Sequence, residues 1–436
     1  MQLTEDQQRA ATAIIDFLLS QESEMVLSAA AGCGKSYLVS WFLKEGYSRY
    51  IQTCSERQLP VKYSTEPVVV ATTNKAADVL SNNLGRNVQT IHKYLGLVVK
   101  NDFKTGNTYL EKKERFTQKF NKIVFIDECS MVDSYLYAYI NEALINCKVI
   151  YVGDKDQLAP VKSGISPIFD PKKKISVVEL TENVRLKNHL EMQELALQLK
   201  NTVQTKEFLP IKVKKGVIEH LSGKEFQSKV NELFLVPNSF NKIVTYTNKK
   251  ALDYNNYIKY SLRKYEAPYV KGEHYLVNSV LFTIGSDEHK EVLFNTDEEI
   301  IIDVVDNPIT YTNCSLPFDV VPVKAHTLYN SIPVSFMAPV DSTELINALK
   351  YEAKIKNWST YFKLKEFIAD VRLADCSTVH KAQGSTYQNI FIDLNDLSVC
   401  KSYETAARLL YVACTRATDH VYLYGDLAPR FGGIIE

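Results

Sequence analysis

Residues 29–36 read AAAGCGKS and directly follow a short apolar run. The stretch fits the phosphate-loop pattern G-x-x-x-x-G-K-S/T, in which a glycine-rich turn joins a strand to a helix. Gly32 and Gly34 let backbone N–H groups close around phosphate oxygens, and the start of the helix adds positive potential. Lys35 then reaches the β- and γ-phosphates, and the Ser36 hydroxyl binds Mg²⁺. An ordinary glycine-rich turn is the alternative, but the spacing and the strand–helix context favour a nucleotide site.

Two residues of the loop affect its chemistry. Ala29 stands where the pattern has its first glycine, and Cys33 lies between the two remaining glycines. A thiol at a helix N-terminus beside Lys35 is in an environment that lowers its pKa. We therefore predict that Cys33 is reactive and that Mg-ATP protects it. The backbone of Ala31 belongs to the same predicted phosphate cradle.

Two carboxylates follow the next candidate core strand. Residues 123–126 read IVFI, and Asp127 and Glu128 come directly after them. In a site that hydrolyses a nucleotide, Asp127 would hold Mg²⁺ and Glu128 would orient or deprotonate the attacking water. The pattern is common by itself, but it is specific one α/β unit after a phosphate loop.

A polar loop follows a further candidate strand. Residues 153–161 read GDKDQLAPV, and Gln157 lies in the middle of them. Gln157 could sense the γ-phosphate, or it could be an ordinary polar residue of a loop. The residues alone leave both interpretations open.

Short apolar runs alternate with helical segments along much of the chain. The runs predicted to be strands are residues 25–28, 68–71, 123–126 and 149–152. This alternation is typical of a parallel sheet covered by helices on both faces. Residues 96–111 interrupt it with two β-prone runs around turn-forming residues, which predicts an inserted hairpin. The alternation resumes near residue 243 and at residues 377–425, and residues 266–368 between them predict a β-rich insertion.

The composition limits the classes of protein that fit. The 436 residues carry 51 basic and 51 acidic side chains, which excludes a polybasic coat protein and an acidic tail protein. A local basic groove is compatible with this balance. No apolar run approaches the ~18 residues of a membrane helix, and the N-terminus does not resemble a signal peptide. Eight cysteines without a C-x-x-C pair favour a reducing, cytoplasmic setting over a zinc site or a disulfide framework.

Seven segments of the chain, in order, resemble the motifs of superfamily-one helicases. They are residues 72–77 (TTNKAA), 90–92 (TIH), 127–131 (DECSM), 180–185 (LTENVR), 244–249 (VTYTNK), 377–386 (STVHKAQGST) and 410–417 (LYVACTRA). The set is most similar to the RecD-like B subclass, and within it to the Dda-like helicases of T-even phages. The resemblance spans residues 3–424, although residues 186–240 and 250–370 carry no motif.

The resemblance implies an α/β fold of two RecA-like parallel-sheet domains with ATP in the cleft between them. It also implies a small β-hairpin insertion in the first domain and a β-rich, small barrel-like insertion in the second. The expected boundaries are 1–85 and 117–180 for the first domain, 86–116 for the hairpin, 181–265 and 369–436 for the second domain, and 266–368 for its insertion.

The resemblance also assigns residues to the ATP site. Gln7 resembles the glutamine that reads adenine, and Gln383 and Gly384 belong to the nucleotide-binding set. Arg185 and Arg416 resemble the arginines that reach the γ-phosphate, where a guanidinium neutralises developing charge. A surface salt bridge is the alternative for each arginine.

Contacts to DNA are implied in both domains. They involve Thr73, Asn74 and His92 in the first domain, and Thr247, Asn248, Thr378 and His380 in the second. Structural roles are the alternative for His92 and His380. Phe103, near the tip of the predicted hairpin, could stack on the last base pair at a fork, or it could brace the hairpin on the second domain's insertion. The basic cluster Lys112, Lys113, Arg115, Lys119 and Lys122 could face DNA or be an ordinary solvated surface.

The activity that the resemblance implies is ATP-dependent unwinding of DNA with 5′-to-3′ movement on a single strand. The implied partners are single-stranded and fork DNA, with ATP and Mg²⁺ as cofactors. If the chain is phage-encoded, its setting is the host cytoplasm, and a phage single-strand-binding protein or replication proteins are further candidate partners. A monomer without membrane contact is expected. An RNA helicase and an ATP-gated clamp that does not unwind are the alternatives, and a strand-separating hairpin discriminates against the clamp.

Overall fold

The phosphate loop lies at the carboxyl edge of a six-stranded sheet in which every pairing is parallel. The structure is a computed structural model that describes residues 2–112, 116–158, 166–187, 189–284, 290–328 and 330–435. From edge to edge, the strands of this sheet are Ser176–Leu180, Glu24–Ala29, Lys148–Gly153, Ile123–Asp127, Val68–Ala71 and Gln89–Thr90. The four strands predicted from apolar runs are confirmed, each with bounds within one residue of the prediction.

Helices cover this first sheet. They are Glu5–Leu19, Lys35–Trp41, Tyr47–Glu56, Asn74–Leu84, Ile91–Leu95 and Ser134–Ala143, and the π-helical turn Phe42–Gly46 joins the second to the third. The first helix begins with a capping box, in which the Thr4 side chain accepts from the backbone N–H of Gln7 and the Gln7 side chain accepts from that of Thr4. Ala10, Ile14 and Leu18 then bury one face of the helix, as their spacing predicts.

A second parallel sheet of five strands forms the other half of the α/β framework. Its strands, in order, are Ile218–Leu221, Ala417–Tyr424, Tyr387–Asp393, Asn241–Thr245 and Cys376–Thr378. Its helices are Leu190–Thr205, Gly223–Leu233, Asn248–Asn256, Val379–Ala382, Leu394–Leu397 and Tyr403–Cys414, and the third continues as the π-helix Tyr257–Leu262. Two parallel α/β sheets in one chain confirm the predicted fold class.

An antiparallel sheet inserted in the second half closes into a small barrel. Its strands are His274–Val277, Glu299–Val305, Ile309–Tyr311, Phe318–Thr327, Asn330–Pro339 and Val371–Leu373. Met337 bridges Ile368, which lies just before the strand Val371–Leu373, and the N–H of Ala369 donates to the Met337 carbonyl at 2.8 Å. The strands Leu281–Ile284 and Lys290–Phe294 form a separate ribbon.

The insertion also contains two helices in a region predicted to be β-rich, Ser342–Lys354 and Trp358–Phe367. The structure differs from the predicted boundaries at two points. Gln89–Thr90 pairs with Val68–Ala71 in the first sheet, so the hairpin insertion does not begin at residue 86. Val371–Leu373 pairs with the barrel, so the second insertion extends past residue 368.

A buried ion cluster fixes the barrel where the chain enters and leaves it. The Arg263 guanidinium binds both oxygens of Asp375 at 2.8 Å, and it binds Glu273 at 2.7 Å. All three side chains are at most 4% exposed. Burial raises the pKa of Asp375 to about 6, and Arg263 opposes the rise. Within the described ranges, no helix has the length and apolar character needed to cross a membrane.

Candidate nucleotide site and nucleic-acid interface

A cleft of about 510 Å³ lies at the phosphate loop, between the two parallel-sheet domains. The predicted site residues that line it are Ala31, Gly32, Gly34, Lys35, Ser36, Asp127, Glu128, Gln157, Arg185, Gly384 and Arg416. All six residues predicted to act in catalysis are in this set. Gln7, Cys33 and Gln383 are outside the lining, although each contacts a residue or a loop that belongs to it.

The geometry of the loop depends on two glycines. Gly32 has φ +88° and Gly34 has φ +80°, in the left-handed region that favours glycine. A Cβ atom on Gly32 would lie 2.6 Å from Asn183 Oδ1, so a side chain there would displace the segment that carries Arg185. Lys35 Nζ donates to the Ala29 carbonyl at 2.7 Å, which holds the ammonium at the mouth of the loop.

The two carboxylates lie at the end of the strand Ile123–Asp127. The N–H of Thr72 donates to the Asp127 carbonyl at 3.1 Å, and its hydroxyl donates to the Glu128 carbonyl at 2.9 Å. Glu128 has φ +53°, an uncommon conformation for this residue type, which turns the chain sharply after the strand. Burial, and then the Glu128 carboxylate, raise the pKa of Asp127 to about 7, while Lys35 opposes the rise.

Gln157 lies in a junction between the two domains. It is 2% exposed, and its amide donates to Asp154 Oδ2 at 3.3 Å. Gln383 donates to Gln157 Oε1 at 3.3 Å from the second domain. The Tyr411 hydroxyl donates to Asp154 Oδ2 at 2.8 Å, and Arg408 donates to the Gln157 carbonyl. Asp154, Arg408 and Tyr411 are not predictable as site residues from the motifs alone, although each lies in or beside one of them.

Replacing Tyr411 by phenylalanine should therefore slow ATP turnover. The change leaves a buried oxygen of Asp154 without its shortest hydrogen bond, so the two domains lose a fixed contact beside Gln157. We expect kcat to fall about ten-fold, or ~1.4 kcal/mol, with a smaller change in the KM for ATP. Tyr269→Phe is the control, because that hydroxyl is also buried but bonds to the Pro339 carbonyl in the barrel. Equal kcat values for the two variants would contradict the assignment.

Two arginines converge on the cleft. The N–H of Arg185 donates to the Gly32 carbonyl at 3.1 Å, so the phosphate loop itself fixes the position of Arg185. Arg416 is 3% exposed, and its guanidinium donates to the carbonyls of Val412 and Ser385. Burial, and then the positive charge of Arg416, lower the pKa of Arg185 to about 10. Within the described part of the chain, Arg416 Nη2 has no hydrogen-bond partner. Two neighbouring guanidinium groups, one of which has an unused hydrogen-bond donor, form a site that suits an anionic ligand.

Gln7 is buried against the phosphate loop. It is 3% exposed, and its Oε1 accepts from the N–H of Thr4 at 3.2 Å. Its amide nitrogen lies against Gly34, where any Cβ atom would collide with it. Recognition of adenine by Gln7 stays a prediction, and its position beside the loop is compatible with it.

The prediction of a reactive Cys33 is wrong. The side chain is 2% exposed, and burial raises the pKa of its thiol even though the positive charge of Lys35 acts to lower it. The helix N-terminus that motivated the prediction is present, but the thiol points into the core. A buried thiol in apolar surroundings is inert.

Labelling of the native protein with a maleimide should consequently modify Cys314 first. Cys314 is the one partly exposed thiol, whereas the other seven cysteines are buried. Mass spectrometry of peptides after brief labelling measures the order of modification. Cys314→Ser should remove the rapid phase. Rapid labelling of Cys33 that ATP prevents would restore the rejected prediction.

Apart from Phe103, the residues predicted to contact DNA lie at or near the points where strands of the two sheets end and helices begin. Thr73 caps the helix Asn74–Leu84 and accepts from the N–H of Ala76 at 3.2 Å. Thr247 caps Asn248–Asn256 in the same way, and its hydroxyl also donates to Asp396 at 2.7 Å. Such helix starts present free N–H groups and positive potential, which suit phosphates.

Several of the residues predicted to contact DNA line two small cavities. Thr73 and His380 line a cavity of about 80 Å³ between the domains. Asn248 and Thr378 line a second cavity of about 20 Å³. His92 is half-buried on the short helix Ile91–Leu95 and lines neither of them, and burial lowers the pKa of its imidazole.

The predicted hairpin consists of strands Leu97–Asn101 and Thr108–Lys112, and its tip contacts the insertion of the second half. Asn101 Nδ2 donates to Glu366 Oε1 at 2.7 Å. The Phe103 ring meets the Phe362 ring edge-on, with centroids 5.4 Å apart, although Phe103 stays 59% exposed. The bracing contact that was the alternative for Phe103 is therefore present in the structure. Stacking on a base pair stays a prediction.

Gly106→Ala should displace the hairpin tip and slow duplex unwinding while leaving DNA-stimulated ATP hydrolysis in place. Gly106 has φ +74°, and a Cβ atom there would collide with the Trp358 ring. Gly85→Ala is the matched control, because Gly85 has φ +62° with nothing within 4 Å of its Cβ position. Unwinding and ATPase rates on a forked duplex measure the effect. Equal unwinding by the two variants would remove the hairpin contact from the mechanism.

Several side chains of the basic cluster near the hairpin already contact other side chains of the protein. Lys112 pairs with Glu142 and lies over the Phe116 ring, and Lys122 donates to Thr65. Lys113 and Arg115 lie outside the described residues. The contacts of the described members favour an ordinary surface over a DNA-facing stripe.

Comparison with known proteins finds a family match in each α/β domain. A family model described as AAA domain matches residues 2–221, which is half of the chain. A model described as UvrD-like helicase C-terminal domain matches residues 373–424.

Relatives and solved structures extend the match over the whole chain. The chain is 23% identical to the ATP-dependent DNA helicase dda of Enterobacteria phage T4, over 96% of this chain and 98% of that protein. It is also 23% identical to an uncharacterized protein of Acanthamoeba polyphaga mimivirus, over 95% and 98%. The crystal structure of Pif1 helicase from Candida albicans matches with a TM-score of 0.50 and 14% identity, over 99% and 96%, which shows a shared fold. The chain belongs to this AAA-domain family.

Proposed function

We propose that the chain is an ATP-dependent DNA helicase that moves 5′ to 3′ on single-stranded DNA and unwinds duplex. One observation carries this proposal. A single cleft joins Lys35, Asp127 and Glu128 of the first domain to the buried Arg416 of the second. Such a site is complete only when the two domains are close together, so hydrolysis of ATP is coupled to their relative movement.

The side chains of the cleft divide the work of phosphoryl transfer. Lys35 binds the β- and γ-phosphates, and Arg416 and Arg185 neutralise charge that develops on the γ-phosphoryl group. Glu128 orients the attacking water and accepts its proton. Gln157 contacts the γ-phosphate, and loss of that phosphate shifts Gln383 of the second domain through the hydrogen bond that joins the two glutamines.

The residues present also fit a magnesium ion. Asp127 Oδ1 is buried and has no hydrogen-bond partner among the described residues, and Ser36 lines the same cleft. Carboxylate and hydroxyl oxygens are the ligands that Mg²⁺ takes alongside phosphates. Bound there, Mg²⁺ would supply positive charge that neutralises the phosphate oxygens. Ser36 and Asp127 would hold it.

Single-stranded DNA would lie across the helix starts at Thr73 and Asn74 in the first domain and at Thr247 and Asn248 in the second. His92, Thr378, His380 and the exposed ring of Phe103 would add contacts. Lys75 Nζ donates to the Lys381 carbonyl at 2.9 Å between the two loop sets, so a strand lying over both would respond to domain movement. Contacts of this kind bind phosphates without reading sequence, as a translocating enzyme requires.

The similarity to the phage T4 protein, whose name describes a DNA helicase, supports DNA as the polymer. A solved structure that shares this fold concerns DNA unwinding at forked duplex DNA by two coordinating Pif1 helicases, which supports fork DNA as a substrate. We propose a monomer as the active form, a cytoplasmic setting, and single-strand-binding or replication proteins as further partners.

Unwinding of partial duplexes tests the proposal. The substrates carry a 5′ or a 3′ single-stranded tail, each in a DNA and an RNA version. We expect ATP-dependent strand separation of the 5′-tailed DNA alone. Preference for the 3′ tail would overturn the polarity, preference for RNA would overturn the polymer, and binding without separation would identify a clamp.

A further inference from the structure

We propose that bound single-stranded DNA continues beyond the motif loops into a groove on the flank of the second domain. The groove, which we call the flank groove, runs between the helix Asn248–Asn256 with its π-helical extension and the barrel. Its side chains are Asn248, Leu252, Asn256, Lys259, Tyr260 and Arg372. This inference rests on the proposed function, since it extends the path of the same strand.

The flank groove is continuous with the predicted DNA contacts. Asn248 and Thr378 line the first of two adjoining cavities, of about 20 Å³. The second cavity, of about 300 Å³, shares Leu252 and Arg372 with the first and extends to Tyr260. The two cavities therefore adjoin along the helix that begins at Asn248.

The spacing of the groove residues places them on one side of the helix. Asn248, Leu252 and Asn256 are four residues apart, and Lys259 and Tyr260 follow in the π-helix Tyr257–Leu262. At about 1.5 Å per residue, the twelve steps along the helix from Asn248 to Tyr260 cover about 18 Å. That distance accommodates about five stacked nucleotides at ~3.4 Å each, and fewer if the strand is extended.

The charges of the groove suit a phosphodiester strand. The two cavities are lined by three basic residues, Lys259, Arg372 and Lys381, and by one acidic residue, Asp341. Arg372 and Lys381 also pair with Asp370 and Asp297, which lie outside the lining, so Lys259 is the cation of the groove without a carboxylate partner among the ion pairs of the described residues. Arg372 is held in place by Asp370 at 3.3 Å. Because existing contacts already hold these side chains in place, binding of a phosphate costs little additional side-chain entropy.

An exposed aromatic ring completes the groove. Tyr260 is 53% exposed, and the Lys259 ammonium lies 4.9 Å from its ring centroid. Lys259 Nζ also donates to the Pro268 carbonyl at 2.8 Å, so the pair has a fixed geometry. Among the described residues, neither the Tyr260 hydroxyl nor the Asn256 amide has a hydrogen-bond partner. A basic groove with an open aromatic face is typical of surfaces that bind single-stranded nucleic acid by stacking.

Binding of two oligonucleotides tests the flank groove. The probes are thymidine homopolymers of about eight and about sixteen nucleotides, within the range of known single-strand sites, measured by fluorescence anisotropy at one salt concentration. Tyr260→Ala should weaken binding of the longer probe roughly 5- to 160-fold, as expected for one lost base–aromatic stack. Binding of the shorter probe and the ATPase rate at saturating DNA should stay unchanged. Lys259→Gln should lower the salt dependence of binding by about one phosphate contact.

Two controls make the result specific. Tyr260→Phe keeps the ring and should bind both probes as the unmodified protein does. Tyr135→Ala removes a tyrosine that is 79% exposed on the first domain and should change neither affinity.

The outcomes separate the groove from the proposed function. If the unmodified protein binds both probes and Tyr260→Ala matches Tyr135→Ala, the groove is overturned and the helicase proposal stands. If the unmodified protein binds neither probe, the proposed function itself fails. Tighter binding of the uridine homopolymer in RNA, with the same loss in Tyr260→Ala, would overturn DNA as the occupant.

Discussion

Replacing Arg416 by alanine is expected to lower the rate of ATP hydrolysis by about 10³–10⁵-fold, the range measured for arginines that reach a transferring phosphoryl group. Arg416 comes from the second domain, lines the same cleft as Lys35, and has a buried nitrogen without a partner among the described residues. Lysine should not rescue the rate, because an ammonium lacks the planar fork that spans two oxygens.

Steady-state turnover with saturating ATP and DNA measures this effect, and binding of a fluorescent nucleotide shows whether the site stays intact. Arg57→Ala is the control, because Arg57 is exposed and its ion pair with Asp16 is long, at 3.9 Å, and also exposed. Turnover of Arg416→Ala within ten-fold of the control would show that the cleft works without a contribution from the second domain.

Glu128→Gln is expected to bind ATP normally but to lose about 10²–10⁴-fold in turnover, the usual effect of removing a general base. The substitution keeps the size of the side chain and the left-handed backbone turn, so the strand end at Asp127 should keep its geometry. Lys35→Ala gives the contrasting pattern, because losing the cation at the phosphates should weaken ATP binding as well as turnover. A Glu128→Gln protein with ordinary turnover would assign the water to another residue.

The core strands were predictable because they are short runs of apolar residues bounded by polar ones, as at residues 123–126. The phosphate loop was predictable because its glycines and Lys35 must follow one another along the chain. These features are local, and local patterns survive folding.

The features that escaped prediction depend on contacts between distant residues. Cys33 has the sequence environment of a reactive thiol, but the fold buries it, and burial outweighs the charge of Lys35. Tyr411 and Asp154 are 257 positions apart and meet only when the domains are in place. The helices Ser342–Lys354 and Trp358–Phe367 lie among β-prone runs, and those runs favour strands when the region is predicted as a whole. The helical spacing of apolar residues within each of the two segments is the local pattern that indicates a helix.

The rate of ATP hydrolysis with and without single-stranded DNA tests most directly the claim that a strand lying across both domains completes the cleft. Since Lys35 and Glu128 belong to one domain and Arg416 to the other, we expect slow hydrolysis without DNA and a strong increase that saturates as DNA binds. A rate that is the same with and without DNA would contradict the account.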